Sequence, residues 1–393
     1  MTQVPSELVD KIIDNLEGDA PSLLSCCRAA RTFVQPSQMR LFKKVTILAT
    51  SDGDPCYKFY NSITNSPHLA SFVQELSVDM LQPGARAVHM GGRSYCSSWI
   101  MEHDTKLSKI LPRLRLKHIS LYDNTPAYQQ TFPMDWTRLG PALLYALTAV
   151  FSSPTLESVH LKGWQLSSPQ QLLSLFAKSK ALKSLSISRL SFDRSGQWST
   201  SAPWLPKLAS LSILELEGKQ TSSSFLHPQI DLSGITTLVV ASGSQRRIME
   251  PDVVKGLEHL SVYLGGSLDP KSFLTPNLRS IHLYAHNLDT VMLALFQSIP
   301  ENSRLERITL DVYASHAAVD VKSRVFDNTM ESRISSHLHS LRIVEIRCVL
   351  MHGEERGFFA WTERVRMAFQ CLQSRGLLGF KRLSDSEYLE MWK

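Results

Sequence analysis

The chain has 393 residues, 43% of them hydrophobic and 20% charged, with a formal net charge of +6. That length exceeds one ordinary compact domain unless the body is an extended repeat, and the composition is that of a folded protein. The longest basic runs are pairs, Lys43-Lys44, Arg246-Arg247 and Lys381-Arg382, so the mild excess of positive charge does not indicate a nucleic-acid partner.

The opening residues carry the first strong pattern. Val4-Pro5-Ser6-Glu7 leads into Leu8, Val9, Ile12, Ile13 and Leu16, a broad apolar stripe at helical spacing. Pro5 suits a helix start, Glu7 complements the positive end of the helix dipole, and Gly18 is a natural stop. Pro21 opens a second helical pattern with Leu23, Leu24 and Cys27. A third runs from Phe33 and Val34 through Met39 to Leu41 and Phe42. So small a unit, with so many apolar residues, needs a second surface to cover them.

These residues resemble an F-box, the helical module that docks a substrate receptor onto the Skp-type adaptor of a cullin-based ubiquitin ligase. The match rests on Val4-Pro5-Ser6-Glu7-Leu8, Ile12-Ile13-x-x-Leu16, Leu23-Leu24, Arg31-x-Phe33 and Leu41-Phe42. The resemblance implies a module over residues 1–48 that contacts the adaptor, and through it the cullin ligase core. The implied contact residues are Val4, Pro5, Leu8, Val9, Ile12, Ile13, Leu16, Leu23, Leu24 and Phe33.

Residues 49–70 read as a connector, with a turn cluster at Ser51-Asp52-Gly53-Asp54-Pro55 and a short helix from Tyr57 to Ile63. From there to residue 353 one pattern recurs: apolar-x-x-apolar-x-apolar. Its occurrences start at Val73, Leu116, Leu156, Leu182, Leu211, Ile235, Leu257, Leu278, Leu305 and Leu341. The intervals are 43, 40, 26, 29, 24, 22, 21, 27 and 36 residues. The central ones fit the period of roughly 20–29 residues of leucine-rich repeats.

Each unit ends in a period-two strand signal. Helical patterns lie between some of them, at 169–176 and 290–296. The expected fold is therefore α/β: a three-helix F-box, then an irregular leucine-rich-repeat-like solenoid over 71–353 with a parallel sheet on its concave side. A doubly wound α/β fold also alternates strands and helices and is the rival. Residues 82–98 read as a loop, and 319–332 as a helix inserted between repeats. Phe358, Trp361, Val365, Phe369 and Leu372 form the stripe of an amphipathic helix, so 354–393 is expected to be a helical cap.

Chemistry is hard to find. No phosphate-binding glycine loop, dinucleotide fingerprint, H-E-x-x-H or G-x-S-x-G occurs. The six cysteines form no C-x-x-C pair, which argues against zinc and against a disulfide framework. His282 and His286 straddle a strand end and do not make a metal site. There is no apolar run long enough for a membrane span, and no charged start followed by an apolar run of the signal-peptide kind. By elimination a reducing compartment, cytosol or nucleus, is expected. No enzyme activity, cofactor or metal is expected.

For the repeats, protein binding is the expected role. Tyr122, Trp164, Tyr263, Tyr284 and Tyr313 lie one or three residues past strand ends and are the substrate-contact candidates. Three readings are weighed. One is a ubiquitin-ligase substrate receptor for an unknown protein; the second is a non-catalytic repeat scaffold whose first helices only cap the array; the third, an α/β enzyme with an unrecognised active site, would need a cluster of titratable groups that the sequence does not offer.

Overall fold

The structure is a computed structural model. It describes residues 5–48, 54–80, 87–90, 93–96, 99–101, 105–122, 134–192, 208–216, 234–241, 256–263, 274–285, 288–313, 331–334, 336, 338–350, 357–384 and 387. The protein is mixed α/β with parallel sheets, and it divides into two compact units, Met1–Pro206 and Lys207–Lys393.

The first unit opens with three helices, α1 (Ser6–Asp14), α2 (Ala20–Ala29) and α3 (Arg31–Lys43). Pro5 stands just outside α1, with ψ of 142°, so the helix begins one residue later than the sequence suggests. Gly18 has φ of +96°, the left-handed turn that a side chain would strain. Asp19 caps α2 by accepting from the Ser22 N–H at 3.1 Å. Extended backbone at Ala30 separates α2 from α3. Val9, Ile13 and Leu23 form the core of these helices, with Leu16, Cys26, Phe33 and Leu41 packed around it. Arg40 pairs with Asp14, and Lys43 with Glu17 at 2.5 Å. These pairs are solvated and add little to stability.

The chain then passes straight from α3 into strand. In chain order the strands of this unit are β1 (Lys44–Ile47), β2 (Glu75–Asp79), β3 (Ala87–Met90), β4 (Arg93–Cys96), β5 (His118–Tyr122), β6 (Met134–Asp135), β7 (Ser158–Lys162), β8 (Trp164–Leu166) and β9 (Ser184–Phe192). The main sheet runs β1-β2-β5-β7-β9, parallel throughout. β6 and β8 form a side ladder attached to β9.

The second unit contributes β10 (Ser210–Leu216), β11 (Thr237–Ala241), β12 (His259–Tyr263), β13 (Ser280–Ala285), β14 (Arg307–Tyr313), β15 (Ile343–Leu350) and β16 (Leu378–Ser384). They pair in chain order, all parallel.

The register explains the recurring apolar pattern. Its fourth position aligns from strand to strand: Val45, Leu76, Ile119, Val159 and Leu185 in the first unit. In the second unit Leu211, Leu238, Leu260, Ile281, Ile308, Val344 and Leu378 align likewise. The sixth position, two residues on, shares that face; Val78, Leu121, Ile187, Val262, Leu283, Leu310 and Ile346 are fully buried.

The residues after the first apolar position form a second ladder just ahead of the strands. Lys117 N–H donates to the Gln74 carbonyl, Glu157 to Lys117 and Lys183 to Glu157, each at 2.8 Å. In the second unit the same bonds link Thr236 to Ala209, Glu258 to Thr236, Arg279 to Glu258, Glu306 to Arg279 and Arg342 to Glu306.

Several sequence expectations are corrected. The unit expected to start at Leu211 starts instead at Leu208, which is buried: Leu211 pairs with Leu238, and Thr236 bonds to Ala209. Residues 208–216 offer two overlapping apolar frames, and the ladder selects the earlier. A repeat also begins at Phe42, continuing through Val45 and Ile47, so the sheet reaches into the stretch assigned to the helical module. Part of the 82–98 loop is a β3–β4 antiparallel hairpin. The tail is not purely helical: helices Gly357–Ala368 and Gln370–Ser374 lead into β16. Trp361, Val365, Phe369 and Leu372 are buried as the stripe requires, with a backbone break at Phe369. The helix at 57–63 is present as Tyr57–Asn65, and those at 169–176 and 290–296 as Pro169–Phe176 and Leu288–Ser298. Of the expected 319–332 helix, residues 319–330 lie outside the described residues.

Candidate interaction surfaces

Helix α1 carries two apolar stripes, not one. Val9 and Ile13 face inward, at 3% and 1% exposure. Leu8 and Ile12, four residues apart and so on one helical face, are 51% and 46% exposed. Leu24 on α2 and Met39 on α3 are also exposed. Nine large apolar side chains stand exposed among the described residues, and four of them belong to α1–α3. Exposed apolar side chains are thus concentrated in this short stretch of sequence. A cavity of about 430 Å³ opens between the start of α1 and α3, lined by Pro5, Glu7, Asp10, Thr32 and Pro36 among others.

The expected adaptor contacts therefore separate by physical role. Pro5, Leu8, Ile12 and Leu24 point outward; Val9, Ile13 and Leu23 hold the helices together. Leu16 and Phe33 are half-buried against that core. Val4 lies outside the described residues.

The second surface is the sheet face opposite the core. In the first unit its rows are mostly small and polar: Lys44, Glu75, His118, Ser158 and Ser184, then Thr46, Ser77, Ser120, His160 and Ser186. Tyr122 closes the face beside Asp79; burial raises its phenol pKa, and the Asp79 charge adds to the rise. His160 is shifted the other way, from 6.5 to about 4, by burial first and by the Lys162 charge second. The Ser188 hydroxyl lies 3.5 Å from its Nε2.

A pH dependence follows. Unfolded chain protonates His160 near 6.5, whereas the folded form resists until about 4. Between those values the unfolded state holds more protons, so stability falls as pH falls, by at most roughly 1.4 kcal/mol per pH unit. We expect the amide-exchange protection of β7, measured from pH 4 to 7 and corrected for the intrinsic exchange rate, to drop less steeply in His160→Gln than in the parent. Equal slopes would remove His160 as the cause.

In the second unit, Tyr263, Tyr284, Asp311, Arg347 and Lys381 align in one row, and Tyr313 aligns with Val349 in another. The face is closed over its middle: Tyr284 is 2% exposed and Asp311 fully buried. His282 Nε2 lies 2.8 Å from the Asp311 carboxylate, and Arg347 bonds Glu345 at 3.0 Å. The side chains of Tyr263 and Tyr313 lie outside the described residues.

Two of the aromatic candidates are thus corrected. Tyr284 is buried, and Trp164 is entirely so. Gly163, with φ of +77°, turns the chain out of β7 into β8, and the +3 position enters the core instead of continuing the sheet face. There Trp164 meets Trp136 edge-on at 4.8 Å and donates its indole N–H to the Leu121 carbonyl at 3.3 Å. Of the three candidates whose side chains are described, Tyr122 is the half-exposed one.

Among the described residues no group of three or more His, Cys, Asp or Glu side chains could hold a metal ion, and no helix is long and apolar enough to cross a membrane. Burial, together with Asp54, pushes the Cys56 thiol far up, away from thiolate chemistry. Sequence reading passed over the charged ladder ahead of the strands. Its signal was the residue after each first apolar position, charged in Lys117, Glu157, Lys183, Glu258, Arg279, Glu306 and Arg342.

Neither the family models nor the curated proteins provide a match to this chain.

Proposed function

We propose that this chain is the substrate-recognition subunit of a Skp–cullin–F-box ubiquitin ligase, with an F-box in α1–α3 and a leucine-rich-repeat-like solenoid formed by the parallel strands. The observation that carries this reading is the outward apolar pair Leu8 and Ile12 on α1, exposed at one-turn spacing while Val9 and Ile13 hold the core. An internal cap would bury that pair; a docking helix presents it. The Skp-type adaptor would cover Leu8, Ile12 and Leu24, and the repeats would hold a protein substrate. The subunit does no covalent chemistry of its own. It raises the local concentration of substrate at the catalytic module, in the cytosol or nucleus.

One observation favours the scaffold reading: α3 runs directly into β1, so the helices are continuous with the first strand of the sheet. Co-purification of the full chain with the Skp-type adaptor from the same cell separates the two. Stoichiometric co-elution on size exclusion is expected for the receptor. Elution of the chain without adaptor would leave the scaffold.

A further inference from the structure

The charged ladder of the second unit surrounds a groove of about 450 Å³, lined by Glu258, His259, Arg279, Ser280, Glu306, Arg307, Arg342 and Ile343. It crosses the starts of β12, β13, β14 and β15. Neighbouring strands lie about 4.8 Å apart, so it is about 14 Å long, matching roughly four residues of extended peptide.

Its charges do not cancel. Arg279 lies between two carboxylates, 3.4 Å from Glu258 and 3.5 Å from Glu306, which occupies both acids. Arg342 reaches Glu306 only at 3.9 Å, with its side chain 80% exposed. Arg307, on the strand face between Ser280 and Ile343, is exposed and has no ion-pair partner among the described residues. His259 engages Ser280 through Nδ1 at 2.7 Å, leaving Nε2 for another partner. Three guanidinium groups thus face two carboxylates, and the surplus cation sits at the middle of the groove.

We propose that this groove binds an extended, acidic segment of a protein partner, with a Glu or Asp carboxylate on Arg307 and Arg342. A planar guanidinium grips a carboxylate through two parallel hydrogen bonds, which a surplus arginine can offer and a saturated one cannot. The inference rests on the substrate-receptor reading in one respect only, that this sheet face holds substrate. Glu306 competes with the incoming carboxylate for Arg342, so neutralising Glu306 strengthens binding.

The test uses the full chain without adaptor, and fluorescence anisotropy of a labelled Gly-Glu-Ser-Glu-Gly peptide beside its Gly-Gln-Ser-Gln-Gly counterpart. The acidic peptide is expected to bind at least about tenfold tighter, the scale of a charge-assisted pair. Arg307→Gln and Arg342→Gln each weaken it severalfold, and Glu306→Gln tightens it. All three positions are at the surface, and unchanged thermal melting verifies folding. Equal affinity for the two peptides, or an affinity indifferent to Arg307→Gln, overturns the assignment. So does binding of inorganic phosphate in place of the acidic peptide. Adaptor co-elution is read separately, so loss of the peptide site leaves the ligase reading standing, and loss of adaptor binding leaves the groove standing.

Discussion

Replacing Leu8 and Ile12 together with aspartate is expected to abolish adaptor binding while the rest of the chain stays folded. Both side chains are already about half exposed, so the exchange costs the free protein little. Burying the exposed half of each under an adaptor would contribute about 0.8–1.5 kcal/mol each, and two buried, unpaired carboxylates would oppose docking by at least as much again. A loss of more than about 100-fold in affinity follows, since 1.4 kcal/mol is a factor of ten. The contrast with the neighbouring stripe is the control. Ile13→Asp puts a charge into the core that Val9, Ile13 and Leu23 share, and it should unfold α1–α3 outright. Titration calorimetry with the adaptor, paired with amide exchange of α1, distinguishes the two. Adaptor affinity retained in the folded double variant would sink the docking assignment.

That distinction was only half legible in the sequence. Leu8, Val9, Ile12, Ile13 and Leu16 form a stripe too wide for one partner, and periodicity alone does not say which part faces inward. The contacts of α2 and α3 decide it. The strands were more legible, because a parallel strand buries alternate residues whatever lies around it: Val159 and Leu161, or Ile281 and Leu283, announce themselves. Where the pattern misled, it was locally degenerate. Residues 208–216 contain two overlapping frames, and the pairing of Leu211 with Leu238 and the bond from Thr236 to Ala209 choose between them. β16 went unseen because Arg375 stands where its first apolar residue should be. The hairpin β3–β4 did carry a signal, the Gly91-Gly92 pair between two short runs, which reads equally as a loop.

The aromatics fail for a different reason. An offset from the last strand residue predicts a side chain's face only while the backbone remains extended, and at Gly163 it does not. Tyr284 keeps to its predicted row beside Tyr263 and Asp311, yet it is covered. Exposure is a property of what packs above a row, and the strand pattern contains no information about that. The charged ladder was legible but unremarked: it lies at a polar position of the template, where side chains are assumed to be solvated and interchangeable. Register makes those residues neighbours, and neighbours of alternating sign build a site.

The burial of Trp164 carries a large expected effect on stability. Trp164→Ala would empty a space bounded by Trp136, which itself stacks on Phe151 at 6.1 Å, with Phe176 beyond at 5.1 Å. Removing one ring leaves a cavity that the remaining rings, all buried, close only in part. The cost is about 3–5 kcal/mol. Trp164→Phe keeps most of the volume but loses the N–H donated to the Leu121 carbonyl, and it should cost less, about 1–3 kcal/mol. Tyr145→Ala, on the Pro141–Phe151 helix and 78% exposed, should change stability by less than about 0.5 kcal/mol. Because the chain divides into two units, a single unfolding free energy is not the right observable. Amide exchange of β5, β7 and β9 reports the first unit directly. Protection there should collapse in Trp164→Ala, fall partway in Trp164→Phe and hold in Tyr145→Ala, with β12–β15 as the internal reference. If Trp164→Ala leaves that protection intact, the ring lies on the surface after all and returns to the set of substrate contacts.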